Sequence, residues 1–94
     1  MGFDQITKAL GHKMRRELLV ELLAHNPVQA DELRESEGEK TALFHSHLPT
    51  LDDLDYIVWN RAAATITKGP NWEEIEPVVR LLSENTECLP PDTF

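Results

Sequence analysis

Apolar positions along the chain predict a helical first half and a mixed second half. Asp4 is a good helix N-cap, and Ile6 with Leu10 makes a short apolar stripe before Gly11 interrupts it. Over residues 13–25, Met14, Leu18 and Leu22 recur at i+4 with Leu19 and Leu23 beside them, the pattern of an amphipathic helix. Asn26-Pro27 ends that helix, because the residue before a proline is pushed out of the α region. Residues 30–35 read as a short helix with Leu33 as its single core residue. Residues 36–39 read as a turn in which Ser36 and Glu39 have the spacing of a capping box. A third strong helix carries Phe44, Leu48, Leu51 and Asp55 on one stripe, with Leu54 adjacent. Pro49 lies inside it and leaves the His45 carbonyl without an intrahelical donor, which predicts a kink or restart near Leu48.

The periodicity then changes. Residues 56–59 are apolar, aromatic and β-branched, and Thr65-Ile66-Thr67 alternates like a partner strand. The link at 60–64 has poor turn composition, so the hairpin rests on its two flanks. Gly69-Pro70 breaks the chain, and Asn71 caps a final helix with Glu74 at N3 and Ile75, Val79 and Leu82 on its apolar face. Pro77 in its second turn predicts a bend. Residues 1–84 form one domain and residues 85–94, with Pro90-Pro91, a flexible tail. Leu18, Leu22, Leu48 and Leu51 are the expected core. The class is mainly α with a small β-hairpin, and three helices followed by a hairpin is the winged helix-turn-helix arrangement.

Ninety-four residues leave no room for a second core, and a domain this small gains stability from a partner subunit. A single Cys excludes an internal disulfide framework, and with four scattered His it disfavours structural zinc. The apolar runs are too short for a membrane span or a signal-peptide core, and Ile6 stands where a myristoylation motif needs Ser or Thr. The chain reads as cytoplasmic, with no membrane contact. Seventeen Asp and Glu against nine Lys and Arg give a net charge of −8. That balance argues against nucleic acid, since phosphate neutralisation supplies most non-specific affinity, and favours a protein partner or simple solubility. A halophilic setting gives it another meaning. At 1 M salt the Debye length is about 3 Å, so repulsion between an acidic domain and DNA nearly vanishes. Only four of the cations are Lys (Lys8, Lys13, Lys40, Lys68), in keeping with an acidic, Lys-poor surface.

Residues 9–23, with Ala9-Leu-Gly-His-Lys-Met-Arg-Arg followed by paired Leu positions, resemble the opening of ArsR-like winged-helix regulators. His47-Leu-Pro-Thr-Leu51 followed by Asp55-Tyr-Ile-Val58 resembles the end of that family's recognition helix and its turn into the wing. Lys68-Gly69-Pro70 is similar to small haloarchaeal members in particular. The likeness spans about residues 4–83. Asp55 stands where the family usually has Gly, and Gln29 where a Ser/Thr cap is usual. The Cys-x-Cys metal-sensing pair of some members is missing, since residues 30–36 hold neither thiol nor imidazole. The resemblance implies a homodimer on double-stranded DNA, with the first and last helices forming a two-fold interface that sets two recognition helices about one DNA turn apart. Phe3, Ile6, Leu10, Trp72, Ile75, Val79 and Leu82 would line it, with Trp72 as anchor. The rival arrangement has Trp72 and Ile75 covering the monomer's own wing on Trp59 or Tyr56, and the sequence leaves both open.

The recognition helix, about residues 40–51, turns Thr41, Ala42, His45 and Ser46 outward, with Lys40 at its start. Hydroxyls and a methyl allow close entry into a major groove, and Lys40 can reach a phosphate; no Arg is there for a guanine. The same residues also suit an ordinary solvated face. Arg61 at the wing tip can enter a minor groove or simply be solvated. His45 and His47 lie about 200° apart around a helix, a poor chelate, so His47 is expected packed at the inner edge and His45 outward. Lys13, Arg15 and Arg16 open a helix against its dipole, and pairing with Glu17, Glu21 or Asp31 is the plainer account for Arg16. Cys88, in an acidic, Pro-rich tail beside Glu87, is expected to be neither a redox sensor nor an intermolecular disulfide partner. No catalytic triad, phosphate loop or apolar carboxylate pair is present, and Asp52, Asp53 and Asp55 read as a solvated turn. The reading is a non-enzyme without cofactor or metal: a DNA-binding transcription regulator. The alternative is an acidic winged-helix module that binds a protein of the transcription or replication machinery.

Overall fold

The computed structural model describes residues 2–30 and 37–94. Helix α1 (Phe3–Leu10) leads through Gly11 into α2 (Lys13–Ala24), and a short strand β1 (Val28–Gln29) follows. Helix α3 (Glu37–Ala42), a π-helical segment (Leu43–His47) and α4 (Leu48–Asp53) run end to end. Strands β2 (Ile57–Asn60) and β3 (Thr65–Lys68) precede α5 (Trp72–Glu84) and a 3-10 turn (Thr86–Cys88). The protein is mainly helical with a small antiparallel sheet of order β1-β3-β2. Among the described residues no helix is long and apolar enough to cross a membrane.

The hairpin pairs Ile57 with Lys68 and Asn60 with Thr65. On its other side β3 pairs with β1, Ile66 opposite Val28 and Thr65 opposite Gln29. The expected hairpin is therefore part of a three-stranded sheet, and Gln29 is a strand residue rather than a helix cap. Two residues are too few to show an alternating pattern in sequence. Residues 37–39, expected in a turn, open α3. The short helix expected at 30–35, with Leu33, and the Ser36 end of the capping box lie outside the described residues, apart from buried Ala30.

The helical restart falls where Pro49 demands it. Proline has no N–H to offer the His45 carbonyl, and the Leu48 N–H reaches back five residues to the Leu43 carbonyl. This wide turn shifts the register by one position. Leu43 and His47 face the core together with Leu48 and Leu51, while Phe44, expected inward, is only half-buried. After α4 the backbone turns through Asp55 at φ 63°, a left-handed conformation that Asp visits more readily than most residues.

The four expected core leucines are all buried and join Leu19, Tyr56, Ile57, Ile66, Ile75 and Val79 in one cluster. Helix α2 packs on α1, α5, β3 and the π-helical segment. The root of the hairpin closes where the Gly69 N–H donates to the Tyr56 carbonyl at 2.9 Å and the Asn71 N–H to the Asp55 carbonyl at 2.8 Å. Here glycine is required by space. A β-carbon on Gly69 would stand 2.5 Å from the Asp55 oxygen and 2.8 Å from the Ile57 nitrogen. Helix α5 continues through Pro77, whose ring is exposed. Residues 85–94, expected as a flexible tail, return to the start of α2, where Arg16 Nε donates to the Thr93 carbonyl at 3.0 Å.

Candidate functional site

The residues expected to face outward on the recognition helix lie where α3 passes into the π-helical segment. Thr41, Ala42, His45 and Ser46 are exposed and Lys40 is half-buried. The wide turn makes this face possible: it sends Leu43 and His47 inward and leaves Thr41, Ala42, His45 and Ser46 in solvent.

The hairpin leans on the same element. The Phe44 and Trp59 rings are stacked, with centroids 5.8 Å apart and planes 19° from parallel. The Arg61 guanidinium lies 4.3 Å from the centroid of Trp59. A cation over an indole face is attracted by the ring quadrupole. Arg61 thus stands at an exposed tip, supported by an aromatic pair that reaches the helical face. Neither Phe44 nor Trp59 was expected at the site. The available signal was the alternation of Ile57 and Trp59, which puts both on one side of β2. The poor composition of the 60–64 link is compensated by a side chain: Asn60 Oδ1 accepts from the Ala63 N–H at 3.0 Å, and Ala64 takes a φ of 55°.

Behind the face sits a cluster of cationic and titratable groups. Arg15 Nε donates to His47 Nδ1 at 3.1 Å, and its Nη1 donates to the Lys8 carbonyl at 2.6 Å. The His12 ring lies 4.2 Å from that of His47, tilted by 43°. His12 also caps α2, its Nδ1 accepting from the Met14 N–H at 3.1 Å. His47 is 5% exposed, and burial first, then the His12 and Arg15 charges, hold its pKa below the ordinary imidazole range. His47 is packed and His45 exposed, as expected. Arg16 pairs with neither Glu17 nor Glu21, and Asp31 lies outside the described residues; its Nη1 donates to the Leu10 carbonyl at 2.7 Å, and its Nε to the Thr93 carbonyl. Arg15 and Arg16 therefore bind carbonyls near the end of α1, and Arg16 also binds the chain beyond α5.

The expected dimer surface is largely consumed within one chain. Ile6, Trp72, Ile75 and Val79 are buried in the monomer, and Leu10 and Leu82 are half-buried. The reason is that the apolar face of α5 covers α2. Trp72 is held at its polar edge as well, its indole N–H donating to Glu76 Oε1 at 2.6 Å with Lys68 Nζ 5.4 Å from the ring. That indole, followed by Arg80, pulls the Glu76 pKa down. Phe3 remains 65% exposed, and Leu81, which the sequence reading passed over, 61%. Beneath α5, Tyr56 Oη donates to Glu74 Oε1 at 3.2 Å.

Among the described residues no group of three or more His, Cys, Asp or Glu could hold a metal ion. Cys88 is an exposed free thiol. Comparison with protein-family models, with curated proteins and with solved structures finds no match.

Proposed function

We propose that this chain is a winged helix-turn-helix DNA-binding transcription regulator, similar to ArsR-like proteins, that acts as a homodimer in a salt-rich cytoplasm. The observation that carries the reading is the joint presentation of Thr41, Ala42, His45 and Ser46 beside an Arg61-tipped hairpin, braced to the same helix through Phe44 and Trp59. In this reading the helical face enters the major groove, Lys40 meets a phosphate and Arg61 reaches the neighbouring backbone or minor groove. Small side chains there permit close approach. A second copy meets the chain through Phe3 and Leu81 at the exposed rims of the terminal helices, since the inner faces are already covered.

The net charge of −8 favours a second reading, an acidic module that docks on a protein of the transcription or replication machinery. A gel shift on genomic fragments across a range of KCl concentrations, with Thr41→Glu and His45→Glu as controls, separates the two. Sequence-selective retardation lost in both variants is the expected result. No retardation at any salt concentration removes the DNA reading and leaves the protein-docking one.

A further inference from the structure

We propose that Arg15, His12 and His47 form a proton-operated latch that fixes the π-helical segment, and with it the exposed face of residues 41–46, onto α2, and that protonation of His47 loosens this face. The inference rests on the DNA-binding reading only for what the loosening does.

The chemistry of the contact is one-sided. A guanidinium is always a donor, so the Arg15 Nε–H to His47 Nδ1 bond exists only while Nδ1 carries no proton. An imidazolium donates from both nitrogens and would set N–H against N–H. The groups that bear on His47 offer it no relief. Arg15 of α2 and His12, the N-cap of that helix, both disfavour its charged form, and the Lys8 carbonyl of α1 accepts from Arg15. Asp52 and Asp53, the carboxylates of α4, do not act on it. A buried cation beside a second cation and a tilted imidazole in contact with it is destabilised by both burial and repulsion.

The location gives the proton a lever. His47 ends the π-helical segment, the wide turn that sets which residues of this helix face inward. Arg15 connects that turn to the Lys8 carbonyl in the last turn of α1. Losing the Arg15–His47 bond therefore loosens α2 from the segment that presents His45 and Ser46, leaving the apolar packing around Leu43 to hold it. Wide turns of this kind recur at functional sites.

The test is a proton NMR titration of the full chain between pH 4.5 and 8, following the His47 ring and the Leu43 and Leu48 amides. The expected result is a His47 midpoint below the ordinary imidazole value, with both amides moving at that midpoint. His12→Asn keeps a capping side chain on α2 but removes the neighbouring imidazole, so it should raise the His47 midpoint. His47→Gln keeps an acceptor for Arg15 and should make both amides insensitive to pH. DNA affinity of the wild-type chain should fall by up to about tenfold per pH unit below the His47 midpoint, the limit for one proton, and stay flat in His47→Gln. An ordinary His47 midpoint, or amides that do not follow it, overturns the latch even if DNA is bound. A normal latch titration with no DNA binding at any pH removes the regulator reading and leaves the latch standing.

Discussion

Phe44 and Trp59 lie face to face, one on the π-helical segment and the other on β2, fifteen residues apart in sequence and 5.8 Å apart between ring centroids. No strand ladder of the described sheet includes the exposed helical face, and this aromatic pair joins it to the hairpin. A double-mutant cycle of Phe44→Ala and Trp59→Ala in urea should give a coupling of about 0.5–1.5 kcal/mol. A cycle of Phe44→Ala with Arg61→Ala should show much weaker coupling, because Arg61 touches only Trp59 of the pair.

The core makes a sharper demand. Leu22→Ala and Leu48→Ala, both at fully buried positions, should each cost about 2–5 kcal/mol in denaturant midpoint experiments. Leu81→Ala, on the exposed rim of α5, should stay within about 0.5 kcal/mol for the monomer. The same variant should lower the apparent mass in sedimentation if a second copy uses that rim.

Space and backbone angle set the next pair. Gly69→Ala forces a methyl group against the Asp55 and Ile57 backbone and should cost about 1–3 kcal/mol. At Asp55, with φ 63°, a β-branched side chain is a steric outlier, so Asp55→Val should cost about 1–2 kcal/mol and exceed the effect of Asp55→Gly.

Alkaline pH tests the floor of α5. Burial, then Glu74, pushes the Tyr56 pKa up from 10.0 to about 12. The folded chain therefore holds a proton that the unfolded chain gives up above pH 10. This contribution to stability is complete below pH 10 and declines as pH rises toward 12. Urea midpoints should fall across that window, and Tyr56→Phe should flatten the fall.

Salt probes the acidic surface as a whole. With seventeen carboxylates against nine Lys and Arg, dilution from multimolar to millimolar KCl unscreens self-repulsion and should lower the melting temperature. An unchanged melting temperature would separate the acidity from any adaptation to salt.

Long periodic runs carried their structure openly: the leucines of α2 and the Ile75 and Val79 face of α5 lie where the 3.6-residue period places them. The restart at Leu48 was legible because Pro49 removes a specific donor. Its consequence was not. A one-residue shift that exchanges Leu43 for Phe44 in the core depends on how the backbone reroutes its hydrogen bonds. Strand β1 is too short to carry a period, and its pairing with β3 is a tertiary event. The apolar positions of the terminal helices were identified, but whether Trp72 covers its own chain or another depends on packing between α5 and α2. Of the site, the outward residues 41, 42, 45 and 46 followed from periodicity. The Arg15–His47 contact spans 32 positions and follows from no local pattern.

The strand β1 gives the hairpin the mechanics of a beam supported at two points. One support is the root, where Gly69 and Tyr56 join; the other is lateral, where Gln29 pairs with Thr65 and the Ala30 N–H donates to the Ala64 carbonyl at 2.8 Å. Only residues 61–63 overhang the second support. Bending stiffness rises steeply as an overhang shortens, so the backbone of this hairpin cannot sweep in search of a contact. Whatever Arg61 touches must come within the length of its own side chain, and the spacing between that contact and the helical face is fixed before any partner arrives.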